Sequence, residues 1–278
     1  MWREIQTMDL TAADIAVFGV AVDENCSVGK GAAAAPSVIR ECSECLPPYT
    51  VKGEEITARL YDLGDVTAFD YQQVFEKLRL CKDKKCTVVL GGDHSISILS
   101  EKAFRALHDG KVGLIHIDAH ADICDVYQGN KNSHACVNRR ALENGFSDKD
   151  VAMVGIRSYE RQEVEFLQDS DICLFTAEEV LEKGADWVLR KLVKRFKDYD
   201  AIYLSFDVDS VDPAYAPGTG TPEAFGLDSI CVLRLLTGIF KRLPVKVMDV
   251  VEVAPPLETN NITVWLVLKY LLEIFKLL

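Results

Sequence analysis

The segment IHIDAHADICD, residues 115 to 125, sets three aspartates and two histidines into a run that otherwise has the composition of a buried strand. Unpaired charge costs several kcal/mol to bury, so such a run implies a cation opposite it. Asp118, His120 and Asp122 fall two residues apart. In extended chain that spacing points their side chains the same way, at steps of about 7 Å. Asp207 and Asp209 repeat the device in SFDVDSVD, and His94 in GGDHS adds an imidazole from a third segment. These two histidines and four aspartates supply enough donors for two divalent ions that share bridging carboxylates. Hard oxygen donors without a thiolate favour Mn²⁺ over Zn²⁺. Any one of the six alone reads as a solvated strand-end residue or a helix cap. The joint pattern on three segments favours ligation. A pair of ions that clamps a shared water lowers its pKa from about 15.7 to about 7, which suits hydrolysis of a poor electrophile.

The remaining polar residues have plainer readings. His116 shares the ligands' parity but lies one step deeper, as a core or supporting histidine. Asp93 orients the turn before His94, and His108 reads as a helix-end surface residue. CSEC at residues 42 to 45 has CxxC spacing without a second pair of ligands, so it reads as structural. GKG at 29 to 31 is followed by neither Ser nor Thr and is not a phosphate loop.

What must position the six residues is a set of short β-rich runs: 14–20, 58–64, 87–92, 112–118, 151–156, 172–175, 201–207 and 245–253. Helix-like stretches separate most of them, among them YQQVFEKLRLCKD, SILSEKAFRALHDG, TAEEVLEKGADWVLRKLVKRFKD and LDSICVLRLLTGIFKRL. Alternating strands and helices imply a parallel sheet covered on both faces. The expectation is one three-layer α/β domain spanning residues 1–278, with a closed eight-stranded barrel as the alternative topology. Both place a site at the carboxyl ends of the strands. GGDHS, DAHAD, FDVDSVDP and VEVAPP all follow such ends.

Composition narrows the class further. Of 278 residues 49% are hydrophobic and 27% charged, ordinary for a water-soluble chain with a sizeable core. The formal charge of −12 argues against nucleic-acid binding and is compatible with a cationic substrate. Nine scattered cysteines, with no basic and apolar leader in MWREIQTMDL, read as reduced thiols in a cytoplasmic protein. The most apolar stretch, TVWLVLKYLLEIFKLL, carries Lys269, Glu273 and Lys276 at helical spacing, so it reads as an amphipathic helix and no membrane span is expected.

In order and separation, GGDHSIS, IHIDAHAD, SHACVNRRALE, SFDVDSVDPAYAPGTGTPE and DVVEVAPPLE resemble the ureohydrolases, the family of arginases and agmatinases. The resemblance runs from about Val17 to the C-terminal helix. It implies a three-layer fold around an eight-stranded parallel sheet, two Mn²⁺ per chain, and hydrolysis of a guanidinium group to urea and an amine. By position it implies His94, Asp118, His120, Asp122, Asp207 and Asp209 as metal ligands, with Asp122 and Asp207 bridging. It further implies His134 as the histidine that protonates the leaving amine and Glu252 as the carboxylate that holds the guanidinium. A planar guanidinium with paired N–H donors suits one carboxylate, and a histidine titrating near neutrality suits the proton transfer. Trimers or hexamers of identical chains are also implied.

The loop between DAHAD and His134 separates substrates. It reads ICDVYQGNKNSHACV, lacking the polar pattern with which arginases hold an α-carboxylate and resembling agmatinases, with Cys124 where an asparagine is expected. The expectation is therefore an agmatinase that yields putrescine for polyamine synthesis. Asp125 is expected to meet a cationic part of the substrate. Guanidinobutyrate, arginine and formiminoglutamate are alternative substrates, and a one-zinc deacetylase-like hydrolase is the alternative class.

Overall fold

The computed structural model describes residues 1–278. Eight strands are formed: β1 Ile15–Val20, β2 Leu60–Val66, β3 Cys86–Leu90, β4 Val112–Ile117, β5 Val151–Ile156, β6 Cys173–Thr176, β7 Ala201–Asp207 and β8 Val245–Val251. They make one sheet in the order β2-β1-β3-β8-β7-β4-β5-β6, with every neighbouring pair parallel. The sheet therefore has two free edges, β2 and β6, which excludes the closed barrel. Every residue of β1, β3, β4, β5 and β7 is buried. That explains why these strands read as continuous apolar runs rather than alternating ones: both faces are covered.

Helices α1 Ala35–Ser43, α6 Ala177–Lys183, α7 Ala185–Phe196, α8 Ser229–Arg242 and α9 Ile262–Phe275 cover one face and share the larger apolar core. Helices α2 Tyr71–Leu80, α3 Ile96–Leu107, α4 Val137–Glu143 and α5 Arg161–Gln168 cover the other. Their starts follow from local chemistry. Asp70 accepts from the amides of Gln72 and Gln73 at the head of α2, and Asp228 from those of Ile230 and Cys231 at the head of α8. The stretch 177–196, expected as one helix, is two. Gly184 takes φ +79° between them, and the chain changes direction there. Along α9, Lys269 is exposed, Glu273 partly so and Lys276 just past its end exposed, while Val264, Leu268, Leu271 and Phe275 are buried. No helix is long and apolar enough to cross a membrane.

One feature of the topology positions the site. Strands β3, β8, β7 and β4 are consecutive neighbours at the centre of the sheet. Their carboxyl ends are the four polar ends that the sequence marks, so residues up to 158 positions apart in the chain converge on one crevice.

Candidate metal centre and active-site cavity

β4 ends at Ile117, so Asp118, His120 and Asp122 lie beyond the strand and not within it. The regular alternation expected of them does not hold. His120 makes an isolated bridge to Ser158, and Asp122 then turns the chain into the left-handed region at φ +47°. Asp209 likewise sits in a 3₁₀ turn, Val208–Ser210, whose first residue follows Asp207. Glu252, one residue past β8, has φ +60°. Left-handed backbone at a non-glycine residue costs about 1 kcal/mol or more and persists where the surroundings fix it. Of the seven non-glycine residues with positive φ, Asp122 and Glu252 are candidate site residues. Gly92, before Asp93 and His94, passes so close to Val22 that a Cβ would lie 1.7 Å from its carbonyl oxygen. Only glycine fits that step.

The six expected ligands come together. Nδ1 of His94 lies 3.0 Å from Asp122 Oδ2, 3.1 Å from Asp118 Oδ2 and 3.2 Å from Asp207 Oδ2. Nδ1 of His120 lies 3.0 Å from Asp209 Oδ2 and 3.7 Å from Asp118 Oδ1. Asp118 alone meets both histidines, whereas Asp122 and Asp207 meet His94 only. Asp118 is the first residue past the strand and stands between the two imidazoles.

The outer contacts test whether these residues suit divalent cations. Ser205 donates its hydroxyl proton to Asp249 Oδ1 at 2.7 Å, so the same oxygen can only accept from His94 Nε2, 2.9 Å away. Nε2 therefore carries a proton, and Nδ1 points at three carboxylates. Both His94 Nδ1 and Asp118 Oδ2 are buried without a hydrogen-bond partner. His120 Nε2 is 3.4 Å from Glu223 Oε1, an outer carboxylate again. Three of the aspartates have one oxygen fixed by a backbone amide: Asp118 by His120, Asp207 by Asp209 and Asp209 by Ala119. An imidazole held from outside with its other nitrogen aimed at fixed carboxylates is the arrangement that metal-ligating histidines show. The residues fit a pair of oxygen-seeking divalent ions.

Electrostatics agrees. Burial, then repulsion from Asp118, raises the Asp122 carboxyl above its ordinary range, and burial with Asp209 and Asp118 raises that of Asp207 strongly. Burial opposes protonation of His94, but Asp118, Asp122 and Asp207 outweigh it and raise its pKa well above the ordinary value. Carboxylates this crowded need added positive charge, from protons or from cations. His116 is fully buried and stacks on His94 with 5.2 Å between centroids. Its Nε2 is paired with Glu101 at 2.8 Å and burial lowers its pKa to about 4, so it is a neutral supporting residue, as its position predicts. Asp93 accepts from the amides of Asn25 and Ser95 and fixes the turn before His94.

His134 and Glu252 also meet. His134 heads a 3₁₀ turn, His134–Cys136, and its Nδ1 donates to Glu252 Oε1 at 3.0 Å. The amide of His94 donates to the same oxygen at 2.8 Å. Oε1 is thereby filled, while Oε2 carries no protein hydrogen bond and lies beside Gly220, where an added Cβ would be 3.6 Å away. Burial by itself lowers the pKa of His134, but the Glu252 carboxylate outweighs it and raises it to about 9.

A cavity of about 400 Å³ opens over this cluster. Asp122, His134, Asp207, Asp209 and His120 form its floor, and Tyr127, Tyr159, Val28 and Pro222 are among its walls. Glu160, Glu163 and Glu223 also line it, and no lysine or arginine does. Asp125 is not part of it. Its side chain is half exposed and its Oδ1 accepts from Arg140 Nη2 at 2.8 Å in an ion pair outside the cavity lining. Arg140 lies on α4 and draws Asp125 outward, which local spacing does not reveal. Residues not singled out from sequence include Ser205 and Asp249, which hold His94, and Ser27, which touches His134. The signal for Asp249 was present: a carboxylate inside the apolar run VKVMDVV. Glu163 closes a capping box at the head of α5 and accepts from Ile123, and burial raises its pKa to about 7.

An all-parallel α/β sheet that carries paired histidines and four carboxylates over a cavity defines a metal-hydrolase architecture. The profile of the arginase family matches residues 13–276, and the chain belongs to that family. Among its relatives, a guanidinobutyrase of Pseudomonas aeruginosa is 33% identical over 92% of this chain and 83% of its own. An agmatinase of Neisseria meningitidis serogroup C is 35% identical over 90% and 82%. Among solved structures, agmatine ureohydrolase of Thermoplasma volcanium superposes with a TM-score of 0.85 at 31% identity, over 97% of this chain and 91% of that one.

Proposed function

We propose that the chain hydrolyses the guanidinium group of agmatine to putrescine and urea, with Mn²⁺ as the native ion. The observation that carries the substrate choice is the cavity lining: three glutamates and neither lysine nor arginine. Agmatine presents a guanidinium at one end and an ammonium at the other, and both ends suit carboxylates. Guanidinobutyrate, arginine and formiminoglutamate end in a carboxylate, for which this lining offers no lysine or arginine. The relatives named as agmatinases support the same reading, while the relative named as a guanidinobutyrase keeps that substrate as the second one to test.

His94, Asp118, His120, Asp122, Asp207 and Asp209 would hold the pair of ions, and the ions would supply an activated water at neutral pH. The protein's own groups do the rest. Glu252 Oε2, buried beside the lining residue Gly220, receives guanidinium N–H groups. Tyr127 and Tyr159 flank the aliphatic tail, and Glu160 and Glu223 face the distal ammonium. His134, charged below pH about 9, gives a proton to the departing amine, which leaves only when protonated. Urea release from agmatine, arginine and 4-guanidinobutyrate by the Mn²⁺-loaded chain, beside an Asp122→Asn control, tests the reading. Preferred release from agmatine that is lost in the control supports it. Preference for another guanidino compound overturns the substrate, and no urea from any of them overturns the activity.

A further inference from the structure

His134 has a defined route for its proton. Nδ1 is committed to Glu252, so the transferable proton is the one on Nε2. Nε2 is in turn met by a single residue, Ser27, whose amide lies 3.1 Å and whose hydroxyl lies 2.9 Å away. Ser27 is also a wall of the cavity. The loop that carries it is pinned on both sides. Asp23 Oδ2 accepts from the amides of Gly31 and Ala33. Asn25 donates its amide to Asp93 Oδ2 at 2.9 Å and its side-chain nitrogen to Ser95 Oγ at 3.1 Å, and its carbonyl accepts from the amide of His134 itself. Ser27 and His134 are thus held against each other by groups anchored to the turn that carries His94.

We propose that the Ser27 hydroxyl relays the proton from His134 Nε2 to the departing amine. The inference rests on the guanidine-hydrolysis reading above. Both protonation states of the ring find partners in this geometry. The charged ring donates Nε2–H to Ser27 Oγ, and the neutral ring accepts at Nε2 from the Ser27 amide. In the step, the bond between the former guanidinium carbon and the departing nitrogen breaks and its electron pair goes to that nitrogen. The nitrogen takes the Ser27 hydroxyl proton while Oγ takes the proton of Nε2. The hydroxyl proton of the tetrahedral adduct passes to solvent as the urea carbonyl forms, and His134 regains a proton from solvent.

The test compares Ser27→Ala and Ser27→Thr with the wild-type, Mn²⁺-loaded enzyme, with bound manganese measured for each. Both variants keep the backbone amide against Nε2, so ring anchoring survives. Ser27→Ala is expected to lower kcat for agmatine by about 10²-fold with KM within about twofold, and Ser27→Thr to restore most of the loss. The proton inventory of kcat in mixed H₂O and D₂O is expected to curve for the wild type, where two protons move together, and to become linear in Ser27→Ala. Unchanged kcat in Ser27→Ala, a loss confined to KM, a loss matched by lost manganese, or a curved inventory in that variant would overturn the relay. Wild-type enzyme that releases no urea from any guanidino compound overturns the activity itself, and is read before the variants.

Discussion

Replacing Glu252 by glutamine removes one negative charge 3.0 Å from His134 Nδ1 and changes little else in shape. In the wild-type protein that charge, aided by Asp122 and Asp93, overcomes the burial penalty and holds the imidazole pKa at about 9 against an ordinary 6.5. At about 1.4 kcal/mol per pKa unit, that interval corresponds to about 3 kcal/mol of preference for the charged ring. His134 is only 10% exposed, so solvent screens little of it. Because the folded pKa lies above the unfolded one, this stabilisation is complete below pH about 6.5 and is lost as pH rises through about 9. Glu252→Gln leaves the burial penalty unopposed by its largest counterweight, so the pKa of His134 is expected to fall toward or below 6.5. The assay is a heteronuclear NMR titration of the five histidines in chelator-treated protein, with His134→Asn identifying the resonance. Denaturant unfolding at pH 6 and pH 9.5 gives the second readout, in which the wild type should lose about 3 kcal/mol more than the variant across that window. A His134 pKa still near 9 in Glu252→Gln, or equal losses of stability, would refute the reasoning.

Two other outcomes follow from contacts beyond the first ring of residues. Asp249 accepts from Ser97, Tyr203, Ser205 and the amide of Phe206, so Asp249→Asn places its own donors against groups that also donate and frees the Ser205 hydroxyl that fixes His94. Manganese affinity measured by calorimetry should fall about 10- to 100-fold with the circular dichroism spectrum preserved, and unchanged affinity would show that Ser205 alone fixes the ring. Asp125→Asn, by contrast, breaks only a half-exposed pair with Arg140 outside the cavity. KM for agmatine should stay within about twofold and the stability loss under about 1 kcal/mol, and a raised KM would return Asp125 to the substrate path.

The eight strands were legible because each is a β-rich run sealed on both faces, and their ends shift from expectation by only a residue or two. The break at Gly184 was less legible, since apolar spacing continues across it and only the positive φ reveals the turn. Charge in an apolar segment was the most informative local signal. It marked Asp118, Asp207 and Glu252, which the structure brings to one crevice, and it applied equally to Asp249, whose burial among four donors explains why that carboxylate needs no cation of its own.

The sequence by itself determined the kinds of donor in the site, the strand ends that bear them and the layered α/β class, because residue type and apolar periodicity are local properties. Only the tertiary structure decided which donors share a position. The strand order that sets β3, β8, β7 and β4 side by side brings His94 and Glu252 into hydrogen-bond contact across 158 positions, and it sets Asp118 between the two histidines. It also sends Asp125 outward to Arg140 and folds the loop bearing Ser27 onto His134. The reason is physical: a ligand's chemistry is fixed by its own side chain, whereas its partners are fixed by the turn at the strand's end and by neighbours that lie far away along the chain.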